Sequence, residues 1–163
     1  MKPEDFGIYS YRFNPDGTLD VFEDVFLGKK NLTKLPFKFG KVDGSFYCNS
    51  NKLKNLKGAP KIVDGNFWCD HNNLKSLKGA PKIINGNFYC DNNNLTNLKG
   101  SPEVINGVLW CYSNNLTSID GLNINGVSEN IVIHYNPNLR LSEKFKFWIT
   151  LNPNKFDLSL DGY

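Results

Sequence analysis

Cys48, Cys69, Cys90 and Cys111 follow one another at a constant step of 21 residues, and the same step links Gly44, Gly65, Gly86 and Gly107 and then Leu53, Leu74, Leu95 and Leu116. It continues through Leu35, Leu56, Leu77, Leu98 and Ile119, through Gly58, Gly79, Gly100 and Gly121, and through Pro60, Pro81 and Pro102. A period of this length means one short unit stacked on copies of itself, each covering the apolar face its neighbour would otherwise expose. With 163 residues, 40% of them hydrophobic, the chain has material for one such array, residues 1–163 as a single domain, and not for several.

Within a unit, Asp64-Gly65 or Asn85-Gly86 predicts a sharp turn into a short strand, with glycine supplying a positive backbone angle. Side chains alternate across a strand, so Phe46, Phe67, Phe88 and Leu109 share the inner face with the cysteines while Tyr47, Trp68, Tyr89 and Trp110 face outward. Parallel strands lie about 4.8 Å apart, which spreads four cysteines over roughly 14 Å, too far for one tetrahedral metal shell with bonds of about 2.3 Å. Nearly parallel Cβ vectors on stacked rungs also oppose disulfides. The thiols are expected to be small, reduced core residues, and the reading calls for no metal and no cofactor.

Phe88-x-Cys90-x-x-Asn93-x-Leu95-x-x-Leu98 resembles the leucine-rich repeat pattern L-x-L-x-x-N-x-L-x-x-L, with Phe and Cys in the first two leucine places, over roughly residues 23 to 141. The resemblance implies a mainly β, single-domain solenoid with short parallel strands. It also implies that Asn51, Asn72, Asn93 and Asn114 are buried amides bonding the backbone where the chain leaves the strand. Gly-Ala-Pro after the last leucine favours a tight turn over a convex helix. Leucine-rich repeats serve many unrelated binding functions, so the likeness is silent on activity. Short lysine- and asparagine-rich chains of this kind also resemble small repeat proteins that bacteriophages encode, which implies an inhibitor acting on a factor in a host cytoplasm.

A solenoid needs covered ends. Residues 1–24 predict an N-terminal β-hairpin cap, with strands over Gly7–Phe13 and Thr18–Phe22 around the turn Asn14-Pro15-Asp16-Gly17. About six coils then fill residues 25–141, the first degenerate, with Val25-Phe26-Leu27 in register with Phe46-Tyr47-Cys48. At the far end Ile131-Val132-Ile133-His134 continues the register after two extra loop residues, with Ile133 outward, His134 in the cysteine place and Pro137 where the asparagine belongs. Residues 142–163 form a C-terminal cap: Ser142 caps a helix whose Phe145, Trp148 and Ile149 cover the last core, and Asn152-Pro153 stops it.

Function is sought on the outward column Phe26, Tyr47, Trp68, Tyr89 and Trp110, flanked by Ser45, Asn66, Asn87 and Val108 on one side and by Asn49, Asp70, Asp91 and Tyr112 on the other. Contiguous exposed aromatics mark interaction sites, and Trp and Tyr dominate binding hot spots. The leading expectation is therefore a non-enzymatic protein-docking module that contacts, and inhibits, its partner through Phe26, Tyr47, Trp68, Tyr89, Trp110, Asp70, Asp91 and Tyr112. Alternatives are a small-molecule or oligosaccharide site on the same rings, self-association through them, or rings that only stack across strands.

Charge weighs against nucleic acid. Residues 29–99 hold thirteen lysines against four acids and residues 1–28 two basic side chains against six acids, within a net +3. The lysine rows (Lys57, Lys78 and Lys99; Lys61 and Lys82) fall on the turn side, whereas a single-strand groove interleaves cations with stacking rings. The two histidines, His71 and His134, belong to no metal or nucleophile motif, and no phosphate-binding loop or G-x-S-x-G elbow occurs, which argues against an enzyme. No apolar run spans a bilayer, and Met1-Lys2-Pro3-Glu4-Asp5 opens nothing resembling a signal peptide, so the expected address is cytoplasmic and the triplets at Asn31, Asn94 and Asn115 are discounted as glycosylation sites.

Overall fold

Two glycine columns shape each coil for different physical reasons. Gly58, Gly79, Gly100 and Gly121 hold φ between 90° and 94°, a region closed to most side chains, and turn the chain after the last leucine of the unit. Gly44, Gly65, Gly86 and Gly107, expected to need a positive φ, do not have one. They are glycine because successive coils touch there: a Cβ on Gly86 would lie 2.8 Å from Gly65 O and 2.9 Å from Gly65 C.

The computed structural model describes residues 1–157. In chain order the strands are β1 (Tyr11–Phe13), β2 (Leu19–Val21), β3 (Val25–Phe26), β4 (Phe39–Val42), β5 (Phe46–Tyr47), β6 (Ile62–Val63), β7 (Phe67–Trp68), β8 (Ile83–Ile84), β9 (Phe88–Tyr89), β10 (Val104–Ile105), β11 (Leu109–Trp110) and β12 (Ile131–Val132), followed by helix α1 (Glu143–Leu151) and β13 (Phe156–Asp157). The chain is a mainly β solenoid of about seven turns. A regular coil carries two short strands, one on each side of the close-packed glycine. The second sheet, β1-β2-β4-β6-β8-β10, was not read from the sequence; the expected one runs β3-β5-β7-β9-β11-β12 and is extended by β13, a strand within the cap that was expected to be helical. Apart from the antiparallel β1–β2 pair every pairing is parallel, and Phe46↔Phe67↔Phe88↔Leu109 stack in register. These four, the cysteines, Leu53, Leu74, Leu95 and Leu116, and Val63, Ile84 and Ile105 from the second sheet are fully buried.

The asparagine column closes the coil. Asn93 Nδ2 donates to Cys69 O at 3.1 Å and Cys90 O at 3.2 Å, carbonyls of two successive coils, while its Oδ1 accepts from the Leu74 N–H at 3.0 Å. Asn72 and Asn114 repeat the pattern, and Asn51 does so with Leu27 O and Cys48 O. The residue before each amide, Ser50, His71, Asn92 and Ser113, sits at φ 49° to 54°, the bend that aims the amide inward.

Both flanks pack on the core, but the hairpin strands are shorter than the expected Gly7–Phe13 and Thr18–Phe22, a 3-10 turn at Pro3–Phe6 precedes them, and the far end shows one change of register. The β1–β2 hairpin pairs Tyr11 with Val21, and β3 sets Val25-Phe26-Leu27 beside Phe46-Tyr47-Cys48. At the other end Leu109 pairs with Ile131 and Trp110 with Val132, so the preceding loop holds one extra residue, not two. Ile133, 1% exposed, therefore fills the cysteine place instead of facing outward, and His134 is not in that place. Asn136, not Pro137, supplies the last rung, accepting from Leu116 N–H and donating to Cys111 O and Ile133 O, and Tyr135 before it takes φ 52°. Proline has no amide side chain to do this, and the ladder continues one coil further than expected. Ser142 Oγ accepts from the Phe145 N–H, and Phe145 is buried with Trp148 and Ile149 beside it. Part of the predicted cap, residues 158–163, lies outside the described residues.

Asn93→Ala is expected to lower the free energy of unfolding by about 1 to 3 kcal/mol, because it orphans buried peptide groups in two coils. The exposed neighbour change Asn94→Ala is expected to stay within about 0.5 kcal/mol, and denaturant titration of both measures the difference.

Candidate functional site

Alternation and register place Phe26, Tyr47, Trp68, Tyr89 and Trp110 on the outward side of the sheet that begins with β3, one ring per coil. Their planes lie within 8° to 19° of parallel, with centroids 5.0, 5.9, 3.6 and 6.1 Å apart along the column. Phe26 is 57% exposed and the other four are half-buried. Val132, 3% exposed, takes the sixth place and is itself flanked by β13, so the stack is closed at that end and open at Phe26.

This geometry has a chemical consequence. Each inner ring turns its faces to its neighbours, leaving ring edges toward solvent. A sugar or a base that stacks needs a free face, which the inner rings do not offer. Trp68 Nε1 and Trp110 Nε1 are buried among the rings without a hydrogen-bond partner.

Polar side chains on both flanks are engaged within the protein. On one side Asp24 Oδ1 accepts from the Ser45 N–H, Ser45 Oγ from Asn66 N–H, Asn66 Oδ1 from Asn87 N–H and Asn87 Oδ1 from Val108 N–H, at 2.6 to 3.0 Å. These side chains stitch coil to coil. The signal was present as a 21-residue column of short polar groups next to the glycines.

On the other side Asp70 and Asp91 are buried, at 7% and 4% exposure, one above the other on adjacent coils. Asp70 Oδ2 lies 2.9 Å from Nδ1 of His71, and Asp91 Oδ2 accepts from Asn92 Nδ2 at 2.8 Å. Loss of water, with a smaller contribution from the Asp91 charge, pushes the Asp70 carboxyl above the usual carboxylate range. Tyr112 is half-buried at the next rung, its phenol pushed up by burial and by Asp91, and its ring stacks on His134 at 5.0 Å. Burial drives all four cysteine thiols far above their ordinary range, so they are unreactive core groups.

Among the described residues, a pair of clefts of about 470 Å³ each lies away from the column. One is lined by Asn14, Asp16, Asp20, Lys41 and Lys61 on the hairpin side, the other by Ile119, Leu122, Phe145, Phe147, Trp148 and Leu151 under α1. Lys41 bridges Asp43 and Asp64 in the first region, and Lys57, Lys78 and Lys99 stand exposed before the turn glycines. No helix is long and apolar enough to cross a membrane among the described residues. No family model, curated protein or solved structure matches this chain.

Because the native state holds the Asp70 proton more tightly than the unfolded chain does, the associated penalty is full above the native pKa and shrinks as pH falls through it. In chelator-containing buffer, wild type is expected to gain stability relative to Asp70→Asn between pH 7 and pH 4; denaturant midpoints at both pH values read the change. An unchanged difference contradicts the placement of a buried carboxylate there.

Proposed function

We propose that the chain is a leucine-rich-repeat-like, non-enzymatic docking module whose outward aromatic column is covered by a partner protein, acting by occupying the surface it binds. The leucine-rich-repeat reading is supported by the buried amide at every regular coil, with its acceptor and donors engaged as that pattern implies. The docking reading is carried by a single observation: a row of stacked, half-buried rings that presents edges and ends at the exposed Phe26. Rigid aromatic groups lose little conformational entropy on contact and fill shallow pockets of a protein surface well.

A protein is favoured over a small molecule because small ligands seek concave sites, whereas the column is a row of rings along one face of a sheet. An oligosaccharide is disfavoured by the closed ring faces. Blocking of a host factor in the cytoplasm by a phage-type product remains the biological setting this reading fits, on the strength of the compositional resemblance alone.

The test compares wild type, Phe26→Glu, a Trp68→Ala/Trp110→Ala double variant and a Lys57→Glu/Lys78→Glu control as baits, each checked for cooperative melting. A partner retained by wild type and the lysine control, lost with Phe26→Glu and with the tryptophan pair, and reconstituted from purified proteins supports the proposal. Equal recovery of every protein by all four baits contradicts it. Sedimentation of wild type at high concentration separates hetero-docking, which predicts a monomer, from self-association through the same rings.

A further inference from the structure

We propose that Asp70, His71 and Asp91 form a binding site for a divalent transition-metal ion of the Mn²⁺, Co²⁺ or Zn²⁺ type. One ligand atom from each, two carboxylate oxygens and an imidazole nitrogen, lies within 4.8 Å of the others. The solenoid brings them together: β7 and β9 are paired in register, and Asp70 and Asp91 follow them at equivalent positions on consecutive coils.

The observation that points to a ligand is Asp70 itself. Its side chain is nine-tenths buried, Oδ2 is taken by His71, and Oδ1 is buried with no hydrogen-bond partner. Buried carboxylate oxygens are ordinarily satisfied, and an orphan beside a second buried carboxylate leaves negative charge uncompensated. Among the described residues no lysine or arginine forms an ion pair with Asp70 or Asp91. A cation between the two carboxylates supplies the partner that Asp70 Oδ1 lacks and offsets the charge of both.

The donor set selects the ion. Two carboxylates with one imidazole suit first-row divalent ions, whereas an all-oxygen shell suits Mg²⁺ and Ca²⁺ and thiolates suit softer metals. His71 has a 58% exposed side chain, so it stands at the mouth of the site and leaves room for water to complete the coordination shell. Coordination takes the place of the His71–Asp70 hydrogen bond, and it reassigns the two aspartates from acceptors for a docked partner to ligands held inside the protein.

The repeat provides its own fold-preserving variants. Asp70→Asn copies Asn49, the residue at the same place one coil earlier, and His71→Asn copies Asn92, which holds φ 50° where His71 holds 51°. Chelator-stripped protein is titrated with Co²⁺, followed by d–d absorption and calorimetry, then competed with Zn²⁺. Wild type is expected to take up one equivalent and melt at a higher temperature with metal. Asp70→Asn, Asp91→Asn and His71→Asn are each expected to weaken binding by at least about 10-fold, while His134→Asn, which removes the other imidazole, leaves it unchanged. No uptake by wild type at about 1 mM metal, equal affinity in the three variants, or loss of binding only with His134→Asn each overturns the site.

Discussion

The solenoid depends on a buried amide that reaches two coils at once. Asn72, Asn93 and Asn114 each donate to carbonyls of their own coil and of the one before, and accept from a leucine N–H of that earlier coil. A bend at this point breaks the strand ladder and would leave those groups bare in an apolar interior, at a cost of about 1 to 3 kcal/mol per group. The amide, with donors and an acceptor on one planar group, satisfies both sides of the break. The left-handed residue before it, costing of order 1 kcal/mol, is tolerated because the amide cannot reach inward without it.

Once the rung spacing is set by that ladder and by backbone contact at Gly65, Gly86 and Gly107, the outside of the molecule has little freedom. The outer rings lie nearly flat on one another at this spacing, which uses their faces for stability and leaves their edges toward solvent. The same spacing forces Asp70 above Asp91, an arrangement that no isolated strand would choose. Ring column and carboxylate pair are thus two outcomes of one constraint.

Periodicity made the coil readable: the inner Phe and Cys and the outer aromatics followed from residues recurring at a fixed step, while the amide column followed from the likeness to the leucine-rich repeat pattern, the hairpin from alternation around Asn14-Pro15-Asp16-Gly17, and the capping helix from Ser142 and the spacing of Phe145, Trp148 and Ile149. What escaped had identifiable causes. The Ile62–Val63 strand and its equivalents went unread because Ile62-Val63, Ile83-Ile84 and Val104-Ile105 are apolar at both positions and show no alternation. Gly86 looks like a turn glycine, and only the distance to the next coil reveals that it is glycine for want of space. The last rung was misplaced because an irregular loop around Ile124–Gly126 hides its length, and His134 mimics a core position that Ile133 fills. The depth of Asp70 and Asp91 was invisible because outward on a strand does not mean exposed when large rings stand beside it.

Hydrogen exchange at the Leu53, Leu74 and Leu95 amides, whose N–H groups donate to Asn72, Asn93 and Asn114, tests the central claim most directly. The account predicts that these three exchange only through global unfolding, with a protection free energy equal to that from denaturant titration and lowered locally when the facing asparagine becomes alanine. Exchange at the rate of exposed turn amides such as those of Lys75 or Lys78 would mean that the coils are not closed by the amide column.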